Sequence, residues 1–220
     1  HQMAHAGRSV ALIKPLKLVG SDREVQTPDL DVSFYRRVVP ENPLPQGWPL
    51  SVTLQQITED ISLTQRVKEL VITATSGAET IIVEGLDGLN ADDPTAQASA
   101  AIVQALNARV VAVAQFYQSL QATDCLQASQ LFDQAFQGLV LNGVWRHRIQ
   151  ITNSTLVPSL QAQGVPVLGV IPEDRRMLAP SVRDLANHLK GELLLFPEKD
   201  DELVEYIMTG GWFLDRGDYV

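Results

Sequence analysis

The 220-residue chain has a single cysteine, Cys125, so it can form no internal disulfide and assemble no thiolate metal site, which fits a reducing cytoplasm. Cys125 precedes an amphipathic stretch and reads as a small packed side chain rather than a nucleophile. Long apolar runs are also missing, so no segment is a candidate for a membrane-spanning helix. Positive charge is scarce: 17 Lys and Arg stand against 26 Asp and Glu, for a net charge of −9. An acidic surface disfavours nonspecific binding to nucleic acid or to an anionic membrane. Arg146, His147 and Arg148 form the only dense basic cluster, and Arg36-Arg37 and Arg175-Arg176 are isolated pairs. Each reads first as a solvated face, although Trp145 beside the cluster makes it a candidate partner contact. Among the four histidines only His1 and His5 have a metal-ligand spacing, and they lie at the extreme terminus.

What is present alternates. Ser9–Lys14, Thr80–Glu84, Arg109–Ala114, Gly138–Asn142, Val165–Ile171 and Glu192–Phe196 are short apolar runs with almost no polar alternation. Such runs predict strands buried on both faces. Between them, Ser62–Thr75, Pro94–Leu106, Thr123–Phe136, Ser154–Gln163 and Ser181–Lys190 carry apolar residues at helical spacing. Thr123 or Asp124 is the expected cap of the third helix, and Gly164 and Gly191 are the expected glycines just past the last two. Strand and helix at these intervals predict an α/β fold: a doubly wound, mostly parallel sheet with helices on both faces.

Two stretches break the rhythm. Val19–Pro49 holds five prolines and two acidic clusters, too much chain for an ordinary connection, and is expected to be a functional loop. Glu198–Val220 begins with charge, predicts a short helix around Glu202–Met208, and then reads Gly210-Gly211-Trp212-Phe213. Residues 1–197 are thus expected to form the α/β domain, and 198–220 a linker with the start of another. His1–Ala6 with Gly7 reads as the last turn of a helix, so a first strand and its loop are expected upstream of residue 1.

In order, a strand ending in Lys14-Pro15, a strand ending in Glu84-Gly85, a strand ending in Asn142, and Pro166–Glu173 (PVLGVIPE) form a set. The set resembles dethiobiotin synthetase, cobyrinic acid a,c-diamide synthase and the related N-terminal domain of long phosphate acetyltransferases, which are P-loop NTPase-like proteins. Asp201–Met208 followed by Gly210 resembles the beginning of the DRTGG-type domain that follows the last of these. The family's phosphate cradle, GxxxxGK[ST], does not occur in the 220 residues. The run Gly85-Leu86-Asp87-Gly88 also departs from the family's usual glycine-rich sequence.

The resemblance implies site residues one by one. Lys14 would bind phosphate and stabilise charge during transfer, against the simpler reading of a lysine snorkelling from a strand end. Glu84 would hold Mg²⁺ together with Asp29 or Asp31, against ordinary turn chemistry for the two aspartates, and Asp22 is a weaker candidate. Asn142 would read the nucleotide base, with Pro172 and Glu173 shaping its pocket, against a proline that simply ends a strand. Given a phosphate loop upstream of residue 1, ATP and Mg²⁺ are the implied cofactors; nucleotide is the implied ligand and a homodimer the implied assembly. The implied function is a regulatory or interaction domain of a phosphate-acetyltransferase-like protein. The alternative is an ATP-dependent carboxylate ligase or cyclase. A partition-ATPase-like switch would want a membrane or DNA surface, which the acidic charge opposes.

Overall fold

Three parallel ladders carry the chain in a computed structural model that describes residues 3, 6–20, 29–39, 49–75, 77–88, 90–117, 120 and 122–206. Strand β1 (Val10–Ile13) pairs with β4 (Thr80–Val83), placing Val10 opposite Thr80 and Ile13 opposite Val83. Pro15 has no N–H to extend that ladder. The chain changes partner there: β2 (Leu16–Leu18) pairs with β3 (Leu50–Val52), and the Leu50 N–H donates to the Pro15 carbonyl at 3.0 Å. In the third ladder β6 (Phe136–Val144) lies between β5 (Val110–Gln115) and β7 (Val167–Pro172).

The helices are α1 (Leu30–Val38), α2 (Leu54–Glu59), α3 (Leu63–Ala74), α4 (Pro94–Leu106), α5 (Ala122–Phe132), α6 (Ile149–Ile151), α7 (Val157–Ala162), α8 (Arg175–Leu178) and α9 (Val182–Leu189). A π turn, Thr152–Leu156, joins α6 to α7 without a break in the helical run. Local chemistry explains several starts. Thr53 and Gln56 form a capping box before α2, and Ser181 and Asp184 form another before α9. Asp93 caps α4 by accepting the Thr95 N–H, and Pro94 takes the first helical position, where no N–H is needed. Two cores result. Ile13, Leu16, Val52, Val67, Val71 and Ile102 pack α3 and α4 against the first strands. Ala112, Ala114, Cys125, Leu139, Leu141 and Leu160 pack α5 and α7 against the third ladder. Helix α4 touches α2 and α3 on one side and α5 on the other, so it ties the cores together.

The fold is α/β with parallel strands and intervening helices, as a P-loop NTPase-like fold requires. Its details depart from the sequence expectation at several places. Strands β2 and β3 are three residues each, too short for a periodicity to register, and α1 lies inside the proline-rich loop. Glu192–Phe196 forms no strand, and Leu194, Leu195 and Phe196 are exposed, because no ladder accepts them among the described residues. Residues 202–206 are not helical; Leu203 forms an antiparallel bridge with Ser181 instead, and residues 207 and 208 lie outside the described part. Helix α5 begins at Ala122, so Thr123 sits inside its first turn rather than capping it, and Phe136 opens β6 after a 3₁₀ turn. The left-handed residue after α9 is Lys190 (φ 51°), not Gly191. Strand β5 alternates: Ala112 and Ala114 are buried, whereas Val111 and Val113 are 51% and 58% exposed.

At Gly138 the β6 backbone runs close against β7. Its φ is +151°, and a Cβ there would lie 2.7 Å from Leu168 Cγ and 2.8 Å from the Pro166 carbonyl oxygen. Backbone cannot yield as a side chain can, so Gly138→Ala is expected to cost about 1–3 kcal/mol, lowering the urea midpoint at unchanged slope. Gly169→Ala in the neighbouring strand meets nothing within 4 Å and is the control, with a midpoint that stays or rises.

Candidate functional site

The register of β1 on β4 decides which side chains meet. Because Ile13 lies opposite Val83, Lys14 and Glu84 leave adjacent strands side by side, and the Glu84 N–H donates to the Ile13 carbonyl at 2.7 Å. Lys14 Nζ lies 3.7 Å from Glu84 Oε1 and 3.5 Å from Asp29 Oδ2, and it donates a hydrogen bond to Asp31 Oδ2. Both aspartates arrive through the start of α1. Asp29 is its N-cap: Oδ1 accepts the Asp31 N–H at 3.1 Å and the Val32 N–H at 3.2 Å, while Oδ2 is turned to Lys14. One helical turn beyond Asp31, Tyr35 donates its hydroxyl to Glu84 Oε2. The Asp29 side chain is only 6% exposed and that of Lys14 16%, so these charges interact largely out of water.

The four residues Lys14, Asp29, Asp31 and Glu84, nominated from sequence, therefore converge; Asp22 lies outside the described residues. Tyr35 was not nominated. Its signal is the i, i+4 spacing from Asp31, which means nothing until α1 is known to be a helix. Burial pulls the Lys14 pKa down, but the Asp31 hydrogen bond and the charges of Glu84, Asp29 and Asp31 outweigh it, and the net shift is upward. Tyr35 is pushed well above the usual tyrosine range, first by burial and then by its hydrogen bond to the Glu84 carboxylate. The carboxylates outnumber the ammonium three to one, leaving surplus negative charge that a divalent cation would neutralise. All the available donors are hard oxygens, the chemistry Mg²⁺ takes. Among the described residues no group of three His, Cys, Asp or Glu stands ready as an all-protein metal cage. A phosphate-bound Mg²⁺ does not need one, since it uses one or two carboxylates plus phosphate oxygens.

Asn142, Pro172 and Glu173 form a second group on the third ladder. Asn142 lies opposite Gln115, and its carbonyl accepts the Phe116 N–H at 2.8 Å. Two residues on, Val144 lies opposite Pro172 and accepts the Glu173 N–H at 2.9 Å. Beside these strand ends opens a cavity of about 720 Å³, walled by Trp145, Arg146, His147, Glu173, Arg175 and Tyr206 among others. Of the three residues nominated here, Glu173 is in its wall and Asn142 and Pro172 are not. Trp145 stacks on His147 (5.6 Å, 29°) and takes the Phe116 ring edge-on at 5.9 Å. The aromatic wall is thus part of Trp145 and the basic cluster, whose position beside a cavity no spacing in the sequence discloses.

A family model described as an AAA domain matches residues 4–181. The match spans β1 through β7 and includes every residue of both groups.

Replacing Lys14 by Met leaves three carboxylates crowded without their cation. Lys14→Met is expected to lose about 1–3 kcal/mol at pH 7, read as a lower urea midpoint than that of the unaltered protein. For Tyr35 the folded pKa lies above the unfolded one, so its contribution is complete below about pH 10 and is lost as pH rises further. In an absorbance titration at 295 nm, Tyr35 is expected to ionise after the ordinary tyrosines, and Tyr35→Phe to remove that late step.

Proposed function

As the chain belongs to this AAA domain family of P-loop NTPases, which contains dethiobiotin synthetase-like proteins, we propose that it serves as a nucleotide-binding domain with a regulatory or interaction role in a phosphate-acetyltransferase-like protein. The observation that carries the reading is the convergence of Lys14, Asp29, Asp31 and Glu84 at the carboxyl ends of β1 and β4. Ligands of open α/β folds sit at that end of the strands. In this reading Lys14 exchanges its Asp31 partner for a phosphate oxygen, so that one negative partner replaces another beside the ammonium. Glu84, oriented by Tyr35, and Asp29 or Asp31 would hold Mg²⁺, which when bound supplies charge neutralisation between phosphates. Asp29 is pinned by the α1 backbone, so it offers a fixed oxygen at no further ordering cost. The base would enter the cavity beside Asn142, Pro172 and Glu173, where Trp145 and His147 offer a stacked aromatic surface.

The regulatory part of the proposal draws on the likeness of Asp201–Met208 to the start of a DRTGG-type domain, with 198–220 as its linker and beginning. It also draws on Gly85-Leu86-Asp87-Gly88, a departure from the family's glycine-rich run that would alter the substrate-side wall, where Thr95 donates its hydroxyl to the Asp87 carbonyl. Cytoplasmic location and a homodimer belong to the same reading; no helix among the described residues is long and apolar enough to cross a membrane. The second reading is an ATP-dependent carboxylate ligase. It is supported by one observation, the Asp31 carboxylate seated on Lys14, where a substrate carboxylate would sit in this reading.

Calorimetric titration with magnesium-ATP tests the proposal. Saturable binding is expected, weakened about tenfold or more in Lys14→Ala and in Glu84→Ala, since each loss removes a charge-assisted contact. Absence of binding overturns it. Release of ADP that depends on an added carboxylate substrate would instead establish the ligase reading.

A further inference from the structure

The chain beyond α9 doubles back on itself. The Val182 N–H donates to the Glu202 carbonyl at 3.0 Å, the Arg183 N–H to the Asp200 carbonyl at 2.8 Å, and the Val204 N–H to the Pro180 carbonyl at 2.9 Å. Arg183 adds ion pairs to Asp200 at 2.7 Å and to Asp201 at 3.2 Å. This end of the segment is therefore anchored through backbone to the first turn of α9. Its other end is held differently. Glu205 pairs with Arg176 at 3.6 Å, and the Arg175 guanidinium lies 5.2 Å from the centre of the Tyr206 ring. These are contacts between exposed side chains, the weak kind, and both fall on α8. Glu205 and Tyr206 also line the cavity at the ends of β6 and β7, opposite partners that line it too.

A segment firmly tied at one end, loosely tied at the other, and forming part of a cavity wall responds to what fills the cavity. We infer that Asp200–Tyr206 is a ligand-responsive wall: a nucleobase held in the cavity packs on Tyr206, and its presence fastens the loose end of the segment against α8 and α9. The inference rests on the nucleotide reading above and extends it, because it gives the domain a way to signal occupancy to the chain that follows. An aromatic ring is suited to the role, since every base has a face that stacks on it. The Arg175 contact keeps Tyr206 near the cavity in advance, which lowers the ordering cost on binding.

The test uses adenosine and ATP separately, with amide hydrogen exchange read at Val204, whose bond to the Pro180 carbonyl is the anchor next to the loose end, and at Val182 and Arg183 as firmly held references. Adenosine carries the base without phosphate and so probes the cavity independently of Lys14. With either ligand at a hundred times its Kd, exchange through opening of the segment is expected to slow by up to about a hundredfold. Tyr206→Ala is expected to weaken adenosine binding about tenfold and to abolish the slowing. If ATP or adenosine binds while Val204 exchanges at its original rate and Tyr206→Ala binds as the unaltered protein does, the wall is refuted and the nucleotide reading stands. If neither ligand binds, the nucleotide reading fails and the wall fails with it.

Discussion

The pairing of β1 with β4 is the constraint on which the candidate site depends. Sheet register is discrete, and a slip of one residue would send every side chain of β1 to the opposite face. Ile13 would leave its core, and Lys14 would no longer emerge beside Glu84. The apolar packing of Ile13, Val67, Val71 and Ile102 thus fixes the position of a charge that packing itself would reject. Asp29 extends the arrangement by using its two oxygens for different ends, one for the α1 backbone and one for Lys14. Helix start and ion cluster cannot be altered separately.

Each of the two groups lies at the carboxyl ends of parallel strands. Lys14 and Glu84 lie past the carboxyl ends of β1 and β4, and Trp145 and Glu173 past those of β6 and β7. Pro172 does not stop its ladder outright. It is the last residue of β7, and the next N–H, from Glu173, still reaches the Val144 carbonyl. Proline removes one donor, and the following residue restores the connection while turning its own carboxylate to the cavity wall and to Arg175 at 3.9 Å.

Much of this was legible in the sequence, for physical reasons that differ from element to element. Helix α4 was readable to the residue because Asp93, Pro94 and Asn107 are strong terminal signals around an alanine-rich run. Strands β1, β4 and β7 were readable as apolar runs, and Lys14 and Glu84 as charged residues placed at the ends of such runs. Glu192–Phe196 looks the same by composition, yet strand formation needs a partner edge, and composition does not report one. Asp29 and Asp31 were visible as acids in a loop, but their purpose depends on α1, whose nine residues were masked by flanking prolines. Tyr35 was invisible for that reason. The closeness of Trp145, Arg175 and Tyr206 is a matter of tertiary return, in which residues some sixty positions apart share a cavity.

The π turn at Thr152–Leu156 bears on how this chain can be aligned with others. A π turn holds one residue more than the α-helical turn it replaces. Deleting one residue from that turn would therefore restore a regular α-helical turn and leave the side chains after it facing as before, with Leu160 still in its core. A deletion further along the same run has no such slack: each residue of an α-helix advances the side chain by about 100°, so Leu160 would swing away from the third ladder. A gap in an alignment across this run thus belongs within Thr152–Leu156.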